Sequence, residues 1–137
     1  MAFTIRRVDY FYAAVEDRPG EAYKLLSQLA EFGINLLAIT AVPVGPERTQ
    51  LTLFPEDALR MASEAQKAGL SLDGPHPALL VQGDDELGAL VGIHERLYEA
   101  RVNVVAASGV TDGRGNYGYV LYFRAEDIDR AAAALEV

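Results

Sequence analysis

The residues best able to do chemistry in this chain are two histidines and two hydroxyl side chains, and their positions favour no reaction. His94 lies on the inner face of a predicted helix, which is typical of a half-buried packing histidine, and His76 lies between two prolines in a predicted linker. Neither histidine is spaced with acidic residues as a metal site requires. Thr40 and Ser108 have no histidine or lysine nearby in the sequence to activate them. The sequence therefore predicts no catalytic residue, no metal, no cofactor and no enzyme activity.

Binding chemistry is better represented, at two short segments that precede predicted helices. Residues 17–20 read Asp-Arg-Pro-Gly, and residues 85–88 read Asp-Glu-Leu-Gly. Each segment ends in a glycine, Gly20 or Gly88, which lets a ligand approach the backbone closely, and free amides at a helix start attract a carboxylate. The alternative interpretation is structural: the glycines serve only the turn, and the aspartate that opens each segment caps the helix.

Two asparagines open the strands that follow these helices. The side-chain amides of Asn35 and Asn103 can each donate and accept hydrogen bonds, as recognition of a polar ligand requires. The alternative is again structural, with both asparagines capping helix ends or starting strands.

These features occur in pairs because the chain contains two copies of one small domain. A constant offset of 68 residues brings Gly20 onto Gly88 and Asn35 onto Asn103. We align the later part of each copy with an offset of 70, after a two-residue insertion that places Leu51 on Leu121. A period of this length exceeds that of most solenoid repeats.

Hydrophobic periodicity predicts the same order of elements in both copies. Strands are predicted at 8–15, 35–43, 48–54, 78–83, 103–111 and 117–124, and helices at about 19–33, 56–69 and 86–100 and from 127 onward. The first copy alone has a short closing strand, predicted around Leu70 and Leu72. This order predicts an α+β fold of two tandem ferredoxin-like βαββαβ sandwiches with antiparallel sheets side by side. The expected domains are residues 1–74 and 75–137.

The second copy has no segment for a last strand of its own. Its predicted strand at 78–83 would then be an open sheet edge, which folded proteins usually cover. Two segments are able to cover it: the strand-like residues 3–7 ahead of the first copy, or the stretch 70–81 exchanged between domains. We expect one of them to complete the second sheet.

Composition narrows the class of protein further. The chain has 137 residues, half of them hydrophobic, and no cysteine, which excludes disulfides and thiolate metal sites. A net charge of -8 argues against a nucleic-acid partner. No apolar run is long enough for a signal peptide or a membrane helix, so a cytoplasmic protein without a membrane partner is expected.

The order of these motifs resembles the ACT domain, a small regulatory ligand-binding module. The resemblance rests on Asp-x-Pro-Gly at 17–20 before an amphipathic helix, and on Phe-Gly-Ile-Asn-Leu at 32–36 opening the next strand. It extends over nearly every residue from Val8 onward, and the whole chain looks like a stand-alone tandem ACT protein. In that family, amino acids or similar small molecules bind where two ACT domains meet.

The resemblance implies a ligand shell in each copy. Its members would be Asp17, Pro19, Gly20, Asn35 and Leu36 in the first copy, and Asp85, Gly88, Asn103 and Val104 in the second. The second copy departs from the family pattern, because Leu87 replaces the proline and Arg101 replaces the glycine of Gly-Ile-Asn. Arg101 would have to adopt left-handed geometry or change the helix end, at a cost of about 1 kcal/mol. We therefore expect the second site to be the weaker one.

Three functions remain open on this basis. The first is a regulatory sensor of an amino acid or related metabolite, with the ligand held at the interface between the two ACT domains. The second is an ACT-like interaction scaffold with a vestigial site that partners an enzyme or itself, and the third is an enzyme on a ferredoxin-like fold. Five tyrosines on predicted strands also suggest an exposed aromatic sheet face, which predicts a homodimer: Tyr10, Tyr12, Tyr117, Tyr119 and Tyr122.

Overall fold

The structure, a computed structural model, describes residues 3–137; Met1 and Ala2, which the expected first domain includes, lie outside the described residues. The chain forms two compact units. The first unit is Asp9–His76, and the second unit combines residues 3–8 with Pro77–Val137. One division point is therefore close to the expected boundary at 74/75, but residues 3–8 cluster with the second half of the chain.

Ten elements follow each other along the chain. They are β1 (Phe3–Glu16), α1 (Glu21–Glu31), β2 (Leu36–Pro43), β3 (Arg48–Pro55), α2 (Ala58–Ala68), β4 (Asp73–Asp84), α3 (Val91–Glu99), β5 (Ala106–Thr111), β6 (Asn116–Tyr122) and α4 (Ile128–Ala134). The two long strands, β1 and β4, each contribute residues to both units. None of the helices formed by residues 3–137 has the length and apolar character to span a bilayer.

In the first unit, β3 pairs antiparallel with both β1 and β2, and β4 lies on the other side of β1. The carboxylate of Asp57 caps α2 by accepting a hydrogen bond from the Arg60 backbone N–H at 3.0 Å. Both helices bury one apolar stripe, because their buried residues recur four positions apart. The core consists of Phe11, Ala13, Leu25, Leu29, Ile34, Leu51, Leu53 and Met61.

In the second unit, β6 pairs antiparallel with β4 and β5, and the first part of β1 lies beside β4. Phe3 and Ile5, two positions apart on β1 and so on one face of the strand, pack against the core of this unit. The expectation that the segment ahead of the first copy completes the second sheet is confirmed. The core consists of Leu79, Val81, Ile93, Leu97, Val102, Leu121, Phe123, Ile128, Ala131, Ala132 and Leu135.

Both units have the same strand order. It is β2-β3-β1-β4 in the first and β5-β6-β4-β1 in the second. In each, the two central strands are the first and third of the βαββαβ sequence, as the ferredoxin-like fold requires. The predicted α+β class, with a second copy that lacks its own last strand, is confirmed.

The alignment of the two copies differs from the one expected in their second halves. Pro43 is opposite Thr49 in the first hairpin, and Thr111 is opposite Tyr117 in the second, so the two hairpins have the same length. The offset of 68 therefore continues through β6, and Leu51 corresponds to Tyr119. The pairing of Leu51 with Leu121 was wrong, because the two extra residues lie between β6 and α4.

The aromatic surface that suggested a homodimer is largely covered. Tyr10 is 8% exposed, and the other four tyrosines on these strands are half-buried. Tyr10 packs against Phe54 and His76, and Tyr117 and Tyr119 pack against the core of the second unit. The expectation of an exposed aromatic face was wrong, so it no longer supports the predicted dimer.

Candidate functional site

The residues predicted in the first copy have structural roles. Gly20 is the N-cap of α1 with φ of 90°, a left-handed conformation that glycine adopts without strain. The side-chain amide of Asn35 donates to Oε1 of Glu56 at 2.8 Å, and the Asn35 carbonyl accepts from the Glu56 backbone N–H at 2.9 Å. Leu36 packs against the core of the first unit. These contacts fit the structural interpretation of Gly20 and Asn35.

The two predicted aspartates do not act as helix caps. α1 and α3 both begin without a side-chain cap, so that part of the structural alternative was wrong. Both loops are instead closed through the backbone: Asp17 N–H donates to the Glu47 carbonyl, and Asp85 N–H donates to the Gly115 carbonyl, each at 2.8 Å. The carboxylates therefore remain available for other contacts.

The residues predicted in the first copy lie outside the two cavities identified in the described part of this unit. These cavities have volumes of about 390 and 430 Å³. None of the five predicted residues lines either of them, and Asp17, Pro19 and Gly20 are exposed.

The second unit brings Asp85 and Gly88 to a cavity of about 560 Å³, a size typical of small-molecule sites. It lies between the start of α3 and the hairpin of β5 and β6, and we call it the hairpin cavity. Asn103 and Val104 line a different cavity of about 570 Å³ in the same unit. The predicted shell is thus divided between two cavities. The hairpin cavity is lined by Asp85, Glu86, Gly88, Ala89, Leu90, Val91, Gly109, Val110, Thr111, Tyr117, Gly118 and Tyr119.

Tyr117 is the least satisfied polar residue of the hairpin cavity. Its hydroxyl is buried and has no hydrogen-bond partner among the residues that the structure describes. Burial raises the pKa of Tyr117, and the carboxylates of Asp84 and Glu86 raise it further. A buried hydroxyl without a partner costs about 1–3 kcal/mol of stability.

Tyr119 forms a wall of the same cavity because β5 carries a glycine opposite it. A Cβ on Gly109 would lie 2.8 Å from Cδ1 of Tyr119, so only glycine lets this ring lie against β5. The Tyr119 hydroxyl is 2.8 Å from Nε2 of His94, and burial raises the pKa of Tyr119. His94 is half-buried, as predicted for a packing histidine.

Gly109, Tyr117 and Tyr119 were not predicted as candidate site residues. The sequence placed the two tyrosines on an exposed sheet face, whereas they pack against the core of the second unit and also line the hairpin cavity. The correct alignment of the two copies would have pointed to both tyrosines. With the offset of 68, Tyr117 and Tyr119 stand where the first copy has Thr49 and Leu51.

The segments ahead of α1 and α3 differ in charge. In the first unit, Arg18 forms ion pairs with Glu16 and Glu21, and Lys24 also pairs with Glu21 at 3.1 Å. These cations lower the pKa of Glu21, with Lys24 the larger cause. In the second unit, the equivalent segment 84–86 is Asp-Asp-Glu, and no ion pair to it occurs within residues 3–137. The second segment is therefore an uncompensated concentration of negative charge.

Solved structures provide the comparison with known proteins, since the sequence matches no protein-family model and no curated protein. Protein BT0572 from Bacteroides thetaiotaomicron is similar with a TM-score of 0.80, at 14% identity over 96% of this chain and 88% of that one. The ligand-free regulatory subunit of aspartate kinase from Thermus thermophilus has a TM-score of 0.64, at 16% identity over 99% and 95%. The corresponding subunit from Thermus flavus has a TM-score of 0.61, at 14% identity over 99% and 95%. These similarities support the ferredoxin-like ACT fold that the motifs implied.

Proposed function

We propose that this chain is a regulatory protein without a catalytic activity of its own, and that it binds a small molecule, an amino acid or a related metabolite, in the second unit. The hairpin cavity carries the proposal, because it joins two predicted ligand residues, Asp85 and Gly88, to the side chains of Tyr117 and Tyr119. The fold supports it, since two of the similar structures are regulatory subunits of aspartate kinase.

The proposal reverses the expected order of the two copies. Leu87 and Arg101 suggested that the second site would be the weaker one, yet Leu87 does not line the hairpin cavity. Arg101 adopts the predicted left-handed geometry, with φ of 58°, and the helix end is kept. The departures from the family pattern therefore leave the second cavity intact, and we assign it the ligand.

A thermal-shift screen with the twenty amino acids tests this function, because a ligand that binds only the folded state raises its melting temperature. Gly20→Val and Gly88→Val form a matched pair, since both glycines have positive φ and pay a similar backbone cost. We expect Gly88→Val to abolish the ligand-induced shift and Gly20→Val to preserve it. Equal shifts in both variants would contradict a site at the hairpin cavity.

A second candidate function is an interaction scaffold, and exposed apolar side chains favour it. Leu87, Val91 and Tyr98 recur at helical spacing on and just before α3, and all three are strongly exposed. Such a stripe is typical of a docking surface. A homodimer built on it would replace the predicted one, which used the aromatic sheet face or the sheet edge. Sedimentation at about 20 µM, a fair range for an interface of standard size, tests the dimer. A dimer with no amino-acid-induced shift would favour the scaffold.

A further inference from the structure

The charge and hydrogen bonds around the hairpin cavity specify the kind of ligand more closely than the fold does. Among the residues that line it, Asp85 and Glu86 are ionisable carboxylates, and there is no lysine, arginine or histidine. Asp84 adjoins them in the chain and acts with Glu86 on Tyr117. A bound anion would meet like charge without a counterion, which is costly in a site partly shielded from water.

Three of the backbone amides around the start of α3 are already engaged and do not offset this charge. The N–H of Ala89 donates to the Glu86 carbonyl, and the N–H of Val91 donates to the Gly88 carbonyl, both at 3.0 Å. The N–H of Asp85 is bonded to Gly115 across the hairpin. These amides are therefore not available to hold a ligand carboxylate, which is what a helix start would otherwise offer.

The rest of the lining suits an apolar body and a positive head group. Ala89, Leu90, Val91 and Val110 provide aliphatic surface. Tyr117 and Tyr119 present aromatic side chains, whose faces attract cations.

We infer that the hairpin cavity binds a small organic cation, an ammonium or guanidinium compound with an apolar body, through the carboxylates of Asp85 and Glu86 and the aromatic side chains of Tyr117 and Tyr119. This inference rests on the proposed function, and it narrows the ligand of the same site from an amino acid or related metabolite to a related metabolite with a cationic group and no carboxylate. The first unit serves as the internal contrast: Arg18 neutralises its equivalent segment, and Thr49 and Leu51 replace the two tyrosines.

Three probes of equal length separate charge from shape: 1-pentylamine, 1-pentanol and pentanoate. Each is titrated into the full chain and followed by two-dimensional amide NMR, which locates binding through the signals of Gly109 and Gly118. We expect 1-pentylamine to shift these signals saturably, 1-pentanol to bind at least about tenfold more weakly, and pentanoate not to bind. Binding of pentanoate as tightly as the amine, or no binding by the amine, would overturn the inference.

Substitutions then assign the contacts. Glu86→Gln should weaken 1-pentylamine binding about tenfold, whereas Glu99→Gln, which removes an exposed carboxylate at the other end of α3, should leave it unchanged. Tyr117→Phe should raise the melting temperature of the free protein by roughly 3 °C, because it removes a buried hydroxyl without a partner. Unchanged amine affinity in Glu86→Gln would also overturn the inference.

The outcomes distinguish this inference from the proposed function. If an amino acid raises the melting temperature but 1-pentylamine does not bind, the proposed regulatory function stands and the cationic site is refuted. Binding of 1-pentylamine without a response to any amino acid would support the cationic site and refute the amino-acid sensor.

Discussion

The first unit carries the Asp-x-Pro-Gly motif at residues 17–20, and the second unit carries the hairpin cavity. In the first, Asn35 is held by Glu56, and the segment before α1 is neutralised by Arg18. In the second, the proline of the motif is absent, yet Gly88 lines a cavity with two tyrosines. The difference teaches that such a motif specifies the backbone path from strand to helix. Whether a ligand fits depends on side chains from β5 and β6, which lie outside the motif.

The two units also differ in how their sheets are completed, and the largest expected effect tests this difference. The first unit receives its fourth strand from β4, which follows directly in the chain, whereas the second receives it from residues 3–8. Deleting residues 2–6 should lower the free energy of unfolding by about 3 kcal/mol or more, because Phe3 and Ile5 lose their packing. Urea unfolding measures the loss, and amide exchange should locate it in β4.

A variant with the backbone intact controls for the deletion. Phe3→Ser with Ile5→Ser keeps the strand but removes both core contacts, and we expect it to lose most of the same stability. If the deleted chain keeps the parent melting temperature, the fourth strand is dispensable and the comparison fails.

His94 and Tyr119 stand at the positions that Leu26 and Leu51 hold in the first unit. Each can therefore be replaced by the leucine that the first unit has there. Tyr119→Leu alone should cost about 1–2 kcal/mol, because His94 loses its 2.8 Å hydrogen bond. The double change His94→Leu with Tyr119→Leu should recover most of that loss, since replacing both polar partners by apolar groups is nearly neutral. A thermodynamic double-mutant cycle gives the coupling energy. Additive losses would show that the hydrogen bond contributes nothing.

The C-terminal ends of α1 and α3 can be compared by two opposite substitutions, each expected to change the free energy of unfolding by about 1 kcal/mol. Gly33 and Arg101 occupy equivalent positions with φ of 74° and 58°, a conformation that favours glycine. Arg101→Gly should therefore raise the free energy of unfolding by about 1 kcal/mol, and Gly33→Ala should lower it by a similar amount. Chemical denaturation of both variants checks the signs. A stabilising Gly33→Ala would contradict the equivalence of the two helix ends.

The smallest effect concerns the two hairpin turns. The carboxylate of Asp112 accepts hydrogen bonds from the backbone N–H groups of Arg114 and Asn116, which lower its pKa, whereas Val44 holds the equivalent place in the first unit. The contribution of Asp112 is complete above the ordinary pKa of an aspartate, about 4, and is lost as the pH falls through the lowered folded value. Amide exchange in the second turn should accelerate below about pH 4 beyond its intrinsic rate. Asp112→Ala should remove this pH dependence, and the first turn should lack it.

Much of the fold was predictable because its signals are local. The order of elements follows from periodicity, and the left-handed turn at Arg101 follows from the repeat, since a glycine stands in the same place in the first copy. The alignment of the second hairpin was not predictable in this way. Tyr119 resembles neither Leu51 nor its neighbours, so similarity of residue type favoured Leu121, and only the register of paired strands gives the correct match.

The candidate site was less predictable, for a related reason. Asp85 and Gly88 follow from the repeat, but the cavity depends on Tyr119 lying against Gly109, a contact between two strands rather than a sequence pattern. The hydrogen bond from Asn35 to Glu56 likewise joins residues 21 positions apart. Such contacts decide whether a polar residue is free for a ligand, and a single sequence does not reveal them.

The division of β1 between the two units has a consequence for the order in which the chain folds. During synthesis the first unit is complete once His76 has emerged, whereas residues 3–8, made first, have no partner until β4 follows and no core until α4 follows. Closing that long loop is entropically costly and slow, so the N-terminal strand should be the last to dock. Until it does, it is an unpaired edge segment, which makes nascent or truncated chains the form most prone to aggregate.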